Sequence, residues 1–368
     1  MKCELGCYTN SLRQTVTRAG EWFLHSGIQE SDGGVARYYR ADRGSNLPVS
    51  TEITGYTLSA LVYLHSIATD ERRVFLNRGV AAANYLSRRA WNASTRTMPF
   101  ELDPAAFTYF FDCGIIARGL LAGWRATGNE EYLAVALGLG EAMACDFAAR
   151  NEYHPILSLP DKRPVERDEL RWSQSSGCYQ LKSAMAWWDL AEATGEQRFR
   201  ALYDEVLESS LSSWSGFLPG HPERTKVMDR LHAVLYFLEG LVPRATEPRC
   251  AGALRAGIDS VSTYFRDLAP VFVRSDVLAQ LLRIRLYADW AGAVPLDRTS
   301  ARAEAERLAG FQCSDSDPRI DGGFCFGRRD GECIPHVSPV STAFALQALA
   351  LWEGHSTGEA QAHRHMLI

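Results

Sequence analysis

Two carboxylates give this sequence a means of moving protons. Glu52 lies in the stretch Ser50-Thr51-Glu52-Ile53-Thr54-Gly55-Tyr56, and Asp112 in Phe107-Thr108-Tyr109-Phe110-Phe111-Asp112-Cys113-Gly114. Each is a lone charge at the start of an apolar helical run. Such a residue either caps the helix or answers its dipole, or it faces a cavity as an acid or base. Aromatic neighbours raise a carboxyl pKa and suit it to that second role. Both readings stay open for both residues.

Other polar and aromatic clusters precede apolar helices in the same way. Asp32-Gly33-Gly34 leads to Arg37, Tyr38 and Tyr39, and an arginine there can hold Glu52 or grip an anionic substrate. Arg171-Trp172-Ser173-Gln174 leads to Tyr179, aromatics able to stack on a sugar face or simply to pack in a core. Asp229-Arg230-Leu231-His232 precedes Tyr236, and Arg274-Ser275-Asp276 is followed one turn on by Gln280. The last block, Asp321-Gly322-Gly323 to Arg328 and then His336 to Thr342, mirrors the first: an Asp-Gly-Gly turn, an arginine, a Ser/Thr entry into a helix. Gln29 and Gln312 precede the two turns.

The elements that position these residues recur along the chain. An apolar helix with small residues ends in a short turn, and an amphipathic helix follows. Thr54–Leu64 ends at Ala68-Thr69-Asp70-Glu71 before Phe75–Leu86; Cys113–Trp124 ends at Ala126-Thr127-Gly128-Asn129-Glu130 before Tyr132–Phe147; Tyr179–Leu190 ends at Ala193-Thr194-Gly195-Glu196 before Phe199–Trp214. The Gly or Asp suits a left-handed cap on the first helix. Weaker copies pair Leu231–Leu241 with Ala251–Phe265 and Val277–Trp290 with Ala301–Gly310. Leu12–Leu24 and Thr342–Trp352 are left without sequential partners. An open solenoid needs polar end caps, whereas both terminal helices carry apolar faces, so they pair with each other. The expectation is an all-α chain, an (α/α)6 barrel of six helical hairpins spanning residues 1–353, with a polar, frayed tail over 354–368. Sustained alternation is absent, so strands are limited to short loop hairpins. The loops entering the first helix of each hairpin surround the cavity, where the clusters above fall.

Bulk properties narrow the function classes. The chain has 368 residues, 46% hydrophobic and 23% charged, with a formal net charge of −5. That is globular composition, without the basic footprint of a nucleic-acid binder. No apolar run reaches membrane-spanning length and the first residues lack signal-peptide character, so a cytoplasmic location is expected. The nine cysteines lack metal-knuckle or redox spacing, Cys3/Cys7 and Cys325/Cys333 being the nearest pairs, and are read as reduced thiols. No zinc motif, phosphate loop, dinucleotide fingerprint or nucleophile elbow occurs, so no metal and no cofactor are expected.

The repeat, together with Asp32-Gly33-Gly34, Glu52-Ile53-Thr54-Gly55-Tyr56 and Phe111-Asp112-Cys113-Gly114, resembles the six-hairpin (α/α)6 superfamily of glycoside hydrolases, sugar epimerases and polysaccharide lyases. Within it, the motifs look most like bacterial proteins associated with polysaccharide synthesis. The Gln-x-x-Asp-Gly-Gly turns also resemble terpenoid cyclase and prenyltransferase toroids, but Asp315-Ser316-Asp317-Pro318 departs from the cyclase signature at its fourth position. The first resemblance implies a saccharide or uronate-containing ligand. A hydrolase would use Glu52 and Asp112 as its acid/base pair. An epimerase or lyase would use His232, His336 or a tyrosine. Arg37, Tyr38, Tyr56, Tyr109, Trp172, Gln174, Tyr179, Arg230, Gln280, Asp321 and Arg328 would hold the substrate. A non-catalytic scaffold role and a prenyl-binding role are the alternatives, and oligomeric state is not readable.

Overall fold

The computed structural model describes residues 2–358 and 363–368, with side chains from residue 12 onward. Cys3 and Cys7 therefore lie outside the described side chains, as does the 359–362 part of the tail. Among the described residues there are twelve α-helices: α1 (Lys2–His25), α2 (Thr51–Ile67), α3 (Arg72–Asn84), α4 (Phe110–Thr127), α5 (Glu130–Cys145), α6 (Gln180–Thr194), α7 (Gln197–Ser213), α8 (Arg224–Gly240), α9 (Pro248–Leu268), α10 (Ser275–Trp290), α11 (Arg298–Ala309) and α12 (Pro339–Thr357). They gather into two units. The first holds Glu30–Val35 and Pro48–Pro243; the second holds Met1–Gln29, Ala36–Leu47 and Arg244–Ile368.

In the first unit α2 packs on α3 and α4, α4 on α5 and α6, and α6 on α7 and α8. The even-numbered helices are buried on nearly every face; in α4 every residue from Phe110 to Gly123 is buried. The odd-numbered partners bury one stripe, as Phe199, Tyr203, Val206, Leu207 and Ser210 do in α7. That contrast is the physical content of the repeat, since a helix apolar all round must sit inside other helices. Two of the expected turns form as read. Gly128 and Gly195 take φ of 69° and 78°, and their N–H groups close back on Trp124 and Ala191. Thr127 and Thr194 Oγ1 then accept from the backbone N–H of Asn129 and Glu196 at 3.2 Å. The first copy differs. Lacking glycine, it ends extended at Ala68 and shifts the left-handed residue to Glu71, φ 39°.

In the second unit α1 packs on α12, α12 on α10 and α11, and α10 on α9 and α11. The pairing of the terminal helices is the one expected from their lack of sequential partners. The tail does not fray as expected where it is described: Leu367 and Ile368 are each 2% exposed. Gln347 of α12 holds that segment, donating to the Met366 carbonyl at 2.7 Å and accepting from the Ile368 N–H at 3.1 Å. Two apolar side chains at the end of a polar stretch supply the reason for docking.

The mirrored Asp-Gly-Gly blocks adopt one construction twice, once in each unit. A Cβ on Gly33 would fall 2.2 Å from the Ala81 carbonyl oxygen, and one on Gly322 2.4 Å from that of Arg18, so each turn lies flat on an outer helix. Two residues on, the N–H of Val35 donates to Thr54 Oγ1 at 3.0 Å and that of Phe324 to Thr342 Oγ1 at 2.9 Å. These bonds tie each turn to the first turn of an inner helix. Strands are two or three residues long, such as Phe107–Tyr109 against Ile156–Ser158, and Phe272–Arg274 against Gly327–Arg329.

Buried ion pairs join the inner helices of the first unit. Arg118 of α4 meets Asp189 of α6 at 2.9 Å, and Lys182 of α6 meets Glu239 of α8 at 3.0 Å with both side chains fully buried. Removing one partner of a buried pair strands the other charge, at about 3–5 kcal/mol. Glu239→Ala is therefore expected to lower unfolding free energy by that amount in urea titration. Glu131→Ala, which breaks an exposed pair with Arg88, is expected to cost no more than ~1 kcal/mol.

Candidate active site

Glu52 and Asp112 occupy equivalent places, the first turns of α2 and α4. The α2 terminus is fixed from outside the helix: Thr51 Oγ1 donates to the Pro99 carbonyl at 2.7 Å and the Thr51 N–H to that of Phe100 at 3.0 Å. The α4 terminus is set against α6 by a close approach at Gly114, where a Cβ would meet Ser183 at 2.5 Å. Ser183 Oγ donates to the Phe111 carbonyl at 3.1 Å.

Burial dominates the electrostatics of the pair. It pushes the Glu52 carboxyl from its ordinary 4.5 up to about 7. A helix N-terminus favours an anion by about 0.3–1 kcal/mol, whereas a displacement of this size is on the order of 3 kcal/mol, so desolvation wins. Asp112 is raised well above the carboxylate range, first by burial and then by the nearby charge of Glu52. Among the described residues no cationic side chain offsets this at either carboxyl. Asp112 is 6% exposed, and its Oδ2 has no hydrogen-bond partner among the described residues. Glu52 keeps part of its surface open. Both shifts favour the protonated form, and a carboxyl that holds its proton more tightly than usual is suited to acid or base work.

Aromatic side chains surround the pair. Tyr56, one turn beyond Glu52, shares a hydrogen bond with Tyr236 of α8, 2.9 Å between hydroxyls. Tyr236 lies 4.6 Å from the Phe111 ring and 4.3 Å from His232. Trp172 stands edge-on to Tyr179 at 5.0 Å and to His232 at 6.2 Å. Trp172 and Gln174, in a short turn before α6, are half-buried and keep open surface. Tyr179 is 2% exposed and donates to the Ser175 carbonyl at 2.9 Å, so it supports Trp172 from behind. Tyr109 precedes α4 half-buried, its ring edge-on to Phe100 at 5.5 Å and its hydroxyl raised by burial, Asp112 and Glu52.

Two expected rim residues take other positions. His232 and Arg230 lie in the third and second turns of α8, because α8 begins at Arg224, seven residues before the apolar run at Leu231. The polar stretch Arg224-Thr225-Lys226 continues as helix. Arg230 is 8% exposed, stacks over Phe217 at 4.0 Å and donates Nε to the Phe217 carbonyl at 3.0 Å.

The remaining predicted residues belong to the second unit. His336 stacks on Tyr38, 4.6 Å between centroids, and burial with the Arg40 charge lowers its pKa. Arg37 is half-buried and Gln280 fully buried. Asp321 accepts from Arg18 at 2.7 Å, and Arg328 donates to the Gly310 carbonyl at 2.7 Å, so both secure the turn and hairpin around them. Among the described residues no cluster of His, Cys, Asp or Glu is arranged to hold a metal ion, and no helix is long and apolar enough to cross a membrane.

Known structures share this architecture. The cellobiose 2-epimerase of Spirochaeta thermophila matches with a TM-score of 0.71 at 13% identity, over 95% of this chain and 98% of that one. A sugar epimerase from a ruminal bacterium matches at 0.67 and 13%, over 93% and 98%. The fold is the (α/α)6 toroid that these structures share. An unsaturated glucuronyl hydrolase from Streptococcus agalactiae has the same toroid, with a TM-score of 0.65 at 10% identity, over 97% and 94%. No protein-family description matches the sequence. No curated protein sequence matches it either.

Within the first unit the two expected carboxyls lie near each other, and Phe111 and Tyr236, not among the expected site residues, pack together beside them. Their signal was spacing: Tyr236 is one turn beyond His232 as Tyr56 is one turn beyond Glu52, which puts each pair on one helix face.

The raised pKa of Glu52 sets a pH dependence. A carboxyl whose folded pKa lies above its unfolded value stabilises the protein below the unfolded pKa, and that stability is lost as pH rises through the folded value. The window here runs from about 4.5 to about 7. Glu52→Gln is thus expected to match wild type in thermal stability near pH 4 and to exceed it at pH 8, as measured by melting across that range. Equal melting at both pH values would contradict the raised pKa.

Proposed function

We propose that this chain is a carbohydrate-active enzyme that hydrolyses a glycosidic bond with the Glu52–Asp112 pair. The observation carrying the proposal is the buried Asp112 Oδ2 beside a second carboxyl, with neither a hydrogen-bond partner for that oxygen nor a cation to neutralise either acid among the described residues. Asp112 in its protonated form gives its proton to the glycosidic oxygen. Glu52 as carboxylate supports the charge that develops at the anomeric carbon and activates water or attacks that carbon itself. The open part of Trp172 offers an apolar face for a sugar ring, backed by Tyr179. The toroids it resembles include enzymes named as sugar epimerases, a D-mannose isomerase and unsaturated glucuronyl hydrolases, which supports a saccharide substrate. A coupled pair of acids argues against the lone acid of a prenyl-cyclising cavity, and a scaffold would have no use for two unneutralised carboxyls.

A second reading, epimerisation or isomerisation beside a sugar carbonyl, rests on His232, which sits against both Tyr236 and Trp172. Proton abstraction from carbon would then replace bond hydrolysis.

Incubation with defined saturated oligosaccharides in D2O separates the two. Hydrolysis is expected to yield new reducing ends without deuterium on carbon, followed by NMR. Deuterium at a carbon next to the carbonyl, without cleavage, would replace the first reading by the second. Asp112→Asn and Glu52→Gln are each expected to lower kcat/KM by about 10²–10⁴-fold, the usual worth of a positioned acid or base. Full activity in both variants would remove the pair from the chemistry. Trp172→Ala is expected to raise KM with kcat little changed if it only stacks on the sugar.

A further inference from the structure

Three thiols meet in the second unit. Cys325, two residues beyond Gly323, is 3% exposed. Its Sγ lies 3.6 Å from the Sγ of Cys333, which is exposed at the edge of the Gly327–Arg329/Glu332–Cys333 hairpin. It also shares a side-chain hydrogen bond with Cys313, which is half-buried. The backbone holds all three segments in place. The Cys313 N–H donates to the Gly323 carbonyl at 2.8 Å, the Cys325 N–H to that of Phe311 at 3.1 Å, and Cys325 bridges Val337. Cys333 pairs with Arg328. A buried thiol is thus placed between two more accessible ones by the main chain itself, and the three are not arranged to hold a metal ion.

We propose that Cys313, Cys325 and Cys333 form a redox modification site in which Cys325 is the pivot of a reversible disulfide made by peroxide. The Cys313 thiolate, favoured by its hydrogen bond from Cys325, attacks hydrogen peroxide. An S–O bond forms, the O–O bond breaks and hydroxide leaves, oxidising Cys313 to sulfenic acid. The Cys325 sulfur then attacks that of Cys313. The S–S bond forms, the S–O bond breaks, and water leaves with the Cys325 proton. Two thiols and one peroxide give one disulfide and two waters. The Cys333 thiolate can attack the Cys325 sulfur in turn, moving the bridge outward and releasing Cys313 with no further change in oxidation state. An external thiol reaches the exposed Cys333 sulfur and restores the reduced state.

The test is stoichiometric hydrogen peroxide on the whole chain, read by intact mass, thiol titration and non-reducing peptide mapping. The expected result is a loss of 2 Da, a fall of two in the number of free thiols, and reversal by dithiothreitol. Every mapped bridge should contain Cys325. Cys325→Ser is expected to abolish the −2 Da species, Cys313→Ser to slow its formation at least tenfold, and Cys145→Ser, an exposed thiol elsewhere, to leave it unchanged. The wild-type map decides the matter even if a variant misfolds. A bridge without Cys325, or only +16 and +32 Da adducts, would overturn the proposal.

Discussion

A carboxylate taken out of water must find a cation, find hydrogen bonds or take up a proton. The inner helices of the first unit show two of these outcomes side by side. Asp189 and Glu239 find cations, Arg118 and Lys182, and so bind α4 to α6 and α6 to α8. Glu52 and Asp112 find none, and their proton affinity rises instead. The same burial therefore ties helices together at one level and raises proton affinity at their N-terminal ends. That division organises the rest of the site, from the Tyr56–Tyr236 hydroxyl pair that spans α2 and α8 to the aromatic wall around it.

The cost of the arrangement falls on stability. An unneutralised carboxyl pair is maintained only because many apolar contacts along α2 and α4 outweigh it. The close approach at Gly114 and the hydrogen bond from Ser183 to Phe111 hold the first turn of α4 against α6. Fold likeness at 10–13% identity says which architecture is present and leaves the reaction to the site.

Much of the architecture was legible in the sequence because it is written in local signals. The Thr-Gly turns at Gly128 and Gly195, the mirrored Asp-Gly-Gly blocks and the alternation of fully apolar with amphipathic helices each follow from short-range chemistry. Where a signal was weaker the reading slipped. The start of α8 was placed at its apolar run, which put Arg230 and His232 at a helix entrance they do not occupy. Leu367 and Ile368 were hidden behind a polar stretch. The site was legible in its carboxylates, since a lone acid in an apolar helix start stands out. Its walls were not, because the meeting of Tyr56 with Tyr236 and of Phe111 with Tyr236 depends on how distant helices pack. The pairing of Lys182 with Glu239 depends on helix packing in the same way.

The central claim is that one carboxyl of the Glu52–Asp112 pair holds a proton at neutral pH. Carbon-13 NMR of the labelled Asp and Glu carboxyls across pH 3–9, assigned with Glu52→Gln and Asp112→Asn, measures it directly. The account predicts an Asp112 signal still protonated at pH 7 and a Glu52 midpoint near 7. Midpoints for both below pH 5 would contradict it.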